Sequence, residues 1–100
     1  MLDFSNCIRS MSDPAPNDSN AGCVAVVRAE WLGAKYKEPK YQLFRLGGGF
    51  GTSPSKMGNC CIGYFCADGE QCRMERYDLL GIADEATTKM AEELEAVWKK

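Results

Sequence analysis

Six cysteines and no histidine set the limits of the chemistry this sequence can attempt. Without imidazole the chain lacks the commonest general base and metal ligand, and with it both Ser-His and Cys-His nucleophile pairs. A cysteine nucleophile would need a lysine or arginine beside it, as Cys61 would with Arg76, and an unactivated cysteine behaves as a small buried hydrophobe. Zinc would have to be held by Cys60, Cys61, Cys66 and Cys72. Structural zinc sites present cysteines two to four residues apart on a tight knuckle, and these spacings do not match. A second chemical motif is the run Gly47 to Asn59 (Gly-Gly-Gly-Phe-Gly-Thr-Ser-Pro-Ser-Lys-Met-Gly-Asn), whose bare amides could approach an anion. A phosphate-binding loop needs Lys and then Ser or Thr directly after its last glycine, followed by a helix. Here Thr52 follows Gly51, Pro54 stands where a dinucleotide fingerprint has its third glycine, and the next element reads as a strand. The expectation is a non-enzymatic protein with no metal and no cofactor.

The element that positions most of the cysteines is a hairpin. Cys60 to Ala67 and Glu70 to Tyr77 are β-type runs separated by Asp68-Gly69, a pair that suits the positive φ angles of a type I′ turn. A two-residue turn there predicts Ala67 opposite Glu70, Phe65 opposite Cys72, Gly63 opposite Met74 and Cys61 opposite Arg76. Period-two alternation then puts Cys61, Phe65, Cys72 and Met74 on one face, the better core candidate. Cys60, Ile62, Tyr64 and Cys66 fall on the other, across from Tyr77, Glu75, Arg73 and Gln71 in that order. In that register Cys61 and Cys72 sit roughly 13 Å apart along the strands, whereas a disulfide wants Cα atoms within about 7 Å. Reduced, structural cysteines are therefore expected.

Around the hairpin the pattern is that of one small α+β domain. Residues 1–22 read as a flexible or partly helical segment: Phe4, Ile8 and Met11 have helical spacing, and 12–22 is all turn and linker chemistry. Residues 23–100 read as a single β-rich domain. Strands are expected over Cys23 to Leu32, with Arg28 and Glu30 on a wet side, and over Tyr41 to Leu46. Asp78 to Ile82 reads as a turn out of the sheet. Asp84 is a candidate N-cap for a helix to Lys99 in which Met90, Leu94, Val97 and Trp98 form one apolar stripe and Glu92, Glu93 and Glu95 face away. The fold class expected is a small antiparallel sheet or partly closed barrel of about four strands, with this amphipathic helix packed on it. The stretch from Ile62 to Leu80, with its Asp-Gly turn, charged strand and Asp-Leu exit, resembles small SH3-like or Tudor-type barrels. That likeness implies a barrel-like fold and assigns no functional residue.

One hundred residues suffice for one modest core. No apolar run reaches the length of a membrane span, and the first residues lack a signal peptide's basic start and apolar middle. A cytoplasmic location and no membrane partner are expected. Charge is uneven: residues 1–77 sum to +1 and residues 78–100 to −3. Lys35, Lys37, Lys40, Arg45 and Lys56 make a mild basic patch, flanked by Tyr36, Tyr41 and Phe50, well short of the footprint of a dedicated nucleic-acid binder.

The functional expectation follows from the absence of a catalytic constellation and the presence of a mixed apolar and charged face. It is a protein-binding or self-associating module, a homo-oligomer through Ile62, Tyr64 and Tyr77 or through the helix stripe, with Phe50, Tyr41 and Arg45 as further contact residues. Two alternatives from other classes stand beside it: nucleic-acid binding through the basic patch at 35–56, and a redox or metal role for the cysteines.

Overall fold

The computed structural model describes residues 4, 5, 7, 8, 22–33, 36–47, 60–75 and 78–99. Five strands, β1 (Val24–Val27), β2 (Leu43–Leu46), β3 (Cys60–Phe65), β4 (Gln71–Glu75) and β5 (Leu79–Ile82), precede one helix, α1 (Glu85–Trp98). The strands form a curled, antiparallel half-barrel sheet in the order β4-β3-β2-β1-β5, with the helix packed on it.

β1 is buried on both faces, and alternation divides its residues between two cores. Val24 and Val26 join Leu43, Cys66, Ala83 and Ala91 beneath α1, with Phe4, Ile8, Leu80 and Leu94 packed against them. Ala25 and Val27 join Phe44, Leu46, Phe65, Met74, Leu79 and Ile82 on the opposite face. That second face is closed by aromatic side chains from the segment between β1 and β2. Trp31, Tyr36 and Tyr41 surround Phe65, their ring centroids 6.1, 5.0 and 5.8 Å from its own.

The structure corrects several boundaries. The first strand ends at Val27, and Ala29–Trp31 forms a 3-10 turn. Arg28 and Glu30 therefore mark the end of the strand, not a wet side of it. Pro39–Gln42 is a second 3-10 turn, with proline favoured at its start because its fixed φ suits a first helical position. Residues 79–82, expected as an exit turn, are a full edge strand on β1. A bulge makes this possible: Val26 pairs with Gly81 and Val27 with Leu79, so Leu80 is extra and Leu79 and Ile82 both reach the same core. Ile8, in the segment expected to be flexible or partly helical, forms a β-bridge with Ala83, and Asp84 N–H donates to the Cys7 carbonyl.

Gln42, fully buried, ties the amino-terminal segment down. Its Oε1 accepts from Phe4 N–H at 2.7 Å, while its Nε2 donates to the Val27 carbonyl at 3.0 Å and to Ser5 Oγ at 3.3 Å. Asp84 caps α1 as its position suggests, accepting from Thr87 N–H at 2.8 Å, and hydrogen bonding to Thr87 holds its carboxyl below the usual range.

Candidate binding face

The hairpin β3–β4 keeps the predicted division of faces but not the predicted register. Gly63 pairs with Cys72, Cys61 with Met74 and Ile62 with Arg73, two residues away from the two-residue-turn pairing. The connection is wider. Phe65 N–H donates to the Glu70 carbonyl, and the Phe65 carbonyl accepts from Gly69 N–H at 2.8 Å, closing a four-residue loop in which only Gly69 has positive φ, +79°. Asp68 does not take the left-handed conformation. Its carboxylate accepts from Glu70 N–H at 2.9 Å and fixes the loop as an Asx-type turn. A shift of two preserves the alternation, so Phe65 and Met74 are buried as expected, and Ile62, Tyr64, Gln71 and Arg73 lie on the helix side of the sheet.

Helix α1 covers only part of that side. Trp98 at its end packs edge-on against Tyr64, ring centroids 5.5 Å apart, and its Nε1–H donates to the Cys66 carbonyl at 2.8 Å. Lys99 Nζ stands 5.2 Å from the Tyr64 ring centroid. Beyond this contact the strands are open. Ile62 is 47% exposed, and it borders a shallow depression lined by Gly47, Gly63, Tyr64 and Gln71. Both glycines are required where they stand: a Cβ on Gly47 would stand 2.7 Å from the Ile62 carbonyl oxygen, and one on Gly63 would overlap the Arg45 carbonyl oxygen and the Phe44 ring.

Arg45, expected at a contact surface, is committed inward. Its Nε and Nη2 donate to the two carboxylate oxygens of Glu95, and its Nη1 donates to the Gly22 carbonyl at 2.7 Å. The two side chains are 18% and 5% exposed, so this bidentate pair crosses the interface between β2 and α1. Burial works against ionising Glu95, but hydrogen bonds from Arg45 and Tyr64 prevail and hold its carboxyl below the usual range. The Cys66 thiol beside them is pushed up to about 12, first by burial and then by the charge of Glu95, so it stays protonated and is no nucleophile near neutral pH. Among the described residues Cys7, Cys23, Cys66 and Cys72 form no disulfide, and no group of three or more Cys, Asp or Glu could hold a metal ion.

Glu95 corrects the helix stripe. The inward residues are Thr87, Ala91 and Glu95, with Leu94 half-buried, while Met90 and Val97 are 46% and 73% exposed. Small Thr87 and Ala91 let the helix lie close to the sheet, and the carboxylate is admitted because Arg45 meets it. Hydrophobic spacing alone cannot see a partner fifty residues away in the chain; the one legible signal was a lone arginine inside the apolar run Leu43 to Leu46.

The remaining predicted residues do not converge on one site. Tyr41 lies on the opposite face of the sheet, 5.1 Å centroid to centroid from Tyr36. Of the basic patch, Lys40 pairs with Glu38 at 3.0 Å, Lys37 is exposed, and Arg45 is on the helix side. Phe50, Tyr77, Lys35 and Lys56 lie outside the described residues. No helix among the described residues is long and apolar enough to cross a membrane.

No family model matches this sequence, and no curated protein or solved structure matches it. The hairpin geometry therefore carries the functional argument.

Proposed function

We propose that this protein is a non-catalytic protein-binding module whose contact surface is the helix-side face of the β3–β4 hairpin. The observation that carries the reading is Ile62: a β-branched side chain in the middle of a strand, on the face where its neighbours Cys66 and Leu43 are buried, yet 47% exposed because α1 stops short of it. Around it Tyr64 supplies an aromatic surface, and Gln71 and Arg73 a polar rim, the composition of a contact patch with an apolar centre. Tyr77, expected opposite Cys60 on this face and lying outside the described residues, belongs to the same proposal.

The test is photo-crosslinking from position 62, with an exposed helix position, Lys89, as the control. A discrete adduct from position 62, with another protein or with a second copy of the chain, and none from position 89 is the expected result. Equal or absent labelling at the two positions would end the proposal. Nucleic-acid binding through the basic patch finds less support, since Arg45 is held by Glu95 and Tyr36 and Tyr41 pack against Phe65. Its signature would be affinity that falls steeply with salt.

A further inference from the structure

The two edges of the sheet are built differently. At the β5 edge the chain's own amino-terminal segment lies alongside: Ile8 bridges to Ala83, the Cys7 carbonyl accepts from Asp84 N–H at 2.9 Å, and the Ile8 side chain sits against Gly81. At the β4 edge no strand follows among the described residues. Hydrogen bonding fixes which groups of β4 face outward. The backbones of Ile62 and Cys66 bond to β2, through Gly47 N–H and the Leu43 carbonyl, whereas Phe65 N–H bonds across to Glu70. Alternation then turns Glu70, Cys72 and Met74 toward β3, and Gln71, Arg73 and Glu75 away from it. The outward groups of Gln71, Arg73 and Glu75 make no backbone hydrogen bond among the described residues. The Cys72 thiol donates to the Arg73 carbonyl there, at 3.5 Å.

A bare edge invites another strand, and charges on it decide which strand and which register. Arg73 and Glu75 share one face, two positions apart, and neither forms an ion pair among the described residues. That spacing is self-complementary about Met74. An antiparallel copy centred on Met74 puts each Arg73 opposite a Glu75, and both are outward-facing residues able to exchange backbone hydrogen bonds. Centring on Arg73 would oppose two arginines, and centring on Glu75 would oppose two glutamates; like charges directly opposite are unfavourable.

Resting on the reading of the hairpin as a contact surface, we propose that two copies of this chain join edge to edge through β4, antiparallel about a two-fold axis at Met74, with Arg73 of each facing Glu75 of the other. The pairing is isologous and closed, so it makes a dimer with a continuous ten-stranded sheet and not a filament. It also places the two Ile62 faces on the same side of that sheet.

Sedimentation equilibrium of the reduced full chain and of R73E, E75R and an equimolar mixture of the two variants tests the arrangement. The wild type is expected to show a concentration-dependent monomer–dimer equilibrium. Each single variant, which replaces two opposite-charge contacts by two like-charge contacts, is expected to dimerise roughly tenfold more weakly. The mixture restores both attractive contacts and should form a heterodimer close to wild-type strength, which also shows that both variants fold. A wild type monomeric at its highest soluble concentration, single variants as dimeric as the wild type, or a mixture that fails to recover would each overturn the edge pairing. An adduct from position 62 with a different protein, found together with a monomeric wild type, would leave the module reading standing and remove the dimer alone.

Discussion

Glu95 ties α1 to the sheet through a single buried carboxylate. Its carboxylate is nearly inaccessible and is met by the Arg45 guanidinium in a two-point contact, while Arg45 also satisfies the Gly22 carbonyl. Taking one partner away leaves the other charge poorly solvated, so Glu95→Ala is expected to cost about 3 kcal/mol of unfolding free energy, measured by urea denaturation at neutral pH. A loss no larger than that of an exposed helix position such as Lys89→Ala would contradict the pairing. The pair also sets a direction for acid sensitivity. Because the folded carboxyl is held below its ordinary value of 4.5, its contribution is present above that pH and is lost as pH falls through the depressed folded value. Glu95→Gln should therefore flatten the acid limb of the stability profile below about pH 4.5, leaving the part contributed by Asp84, whose carboxyl is lowered in the same sense.

At the scale of elements, the hairpin shows how a turn residue can be legible while its turn is not. Gly69 was readable as the position of positive φ, and it does have φ +79°. The turn is nevertheless two residues longer than Asp-Gly alone suggests, because Phe65 accepts from Gly69 N–H and Cys66 is drawn to β2 through its N–H bond to the Leu43 carbonyl. The glycine carries a second load: a Cβ there would stand 2.7 to 3.0 Å from three ring atoms of Trp98. Gly69→Ala is expected to cost about 1–3 kcal/mol by thermal or urea unfolding. Gly69→Asn should recover little of it, since asparagine tolerates the backbone but keeps the Cβ; full recovery would show that Trp98 does not press on this turn.

The same contrast runs through the other elements. The helix and its Asp84 cap were legible because both depend on neighbours in sequence, and the hairpin faces were legible because alternation survives an even slip in register. What was hidden depends on distant partners. β5 looked like an exit turn because Leu79-Leu80-Gly81-Ile82 does not alternate, and only the bulge against β1 makes its residues useful to two cores. The rotation of α1 followed from Arg45, not from its own apolar residues. Of the candidate site, Ile62 and Tyr64 were placed on their common face by sequence alone, whereas the burial of Arg45 and the separation of Tyr41 were not, since both require knowing which side of the sheet each neighbouring segment covers.

For the whole molecule, a five-stranded half-barrel is covered on one side by α1 and the amino-terminal segment and on the other by an aromatic layer. Among the described residues the cover is incomplete at a corner of the sheet. There the β3–β4 hairpin runs past the end of the helix, exposes Ile62, and presents an edge on which Arg73 and Glu75 alternate. The central claim is that this corner, and neither the exposed Met90 and Val97 of the helix nor the tyrosines of the opposite face, is where the protein meets its partner. Mapping backbone amide chemical shifts of the full chain across a concentration series tests it most directly. The account predicts that the shifts which move belong to Ile62, Tyr64 and Gln71 through Glu75. Changes concentrated at Met90 and Val97 or around Tyr36 and Tyr41 would contradict it, and no change at any concentration would remove the dimer and leave a different protein as the partner.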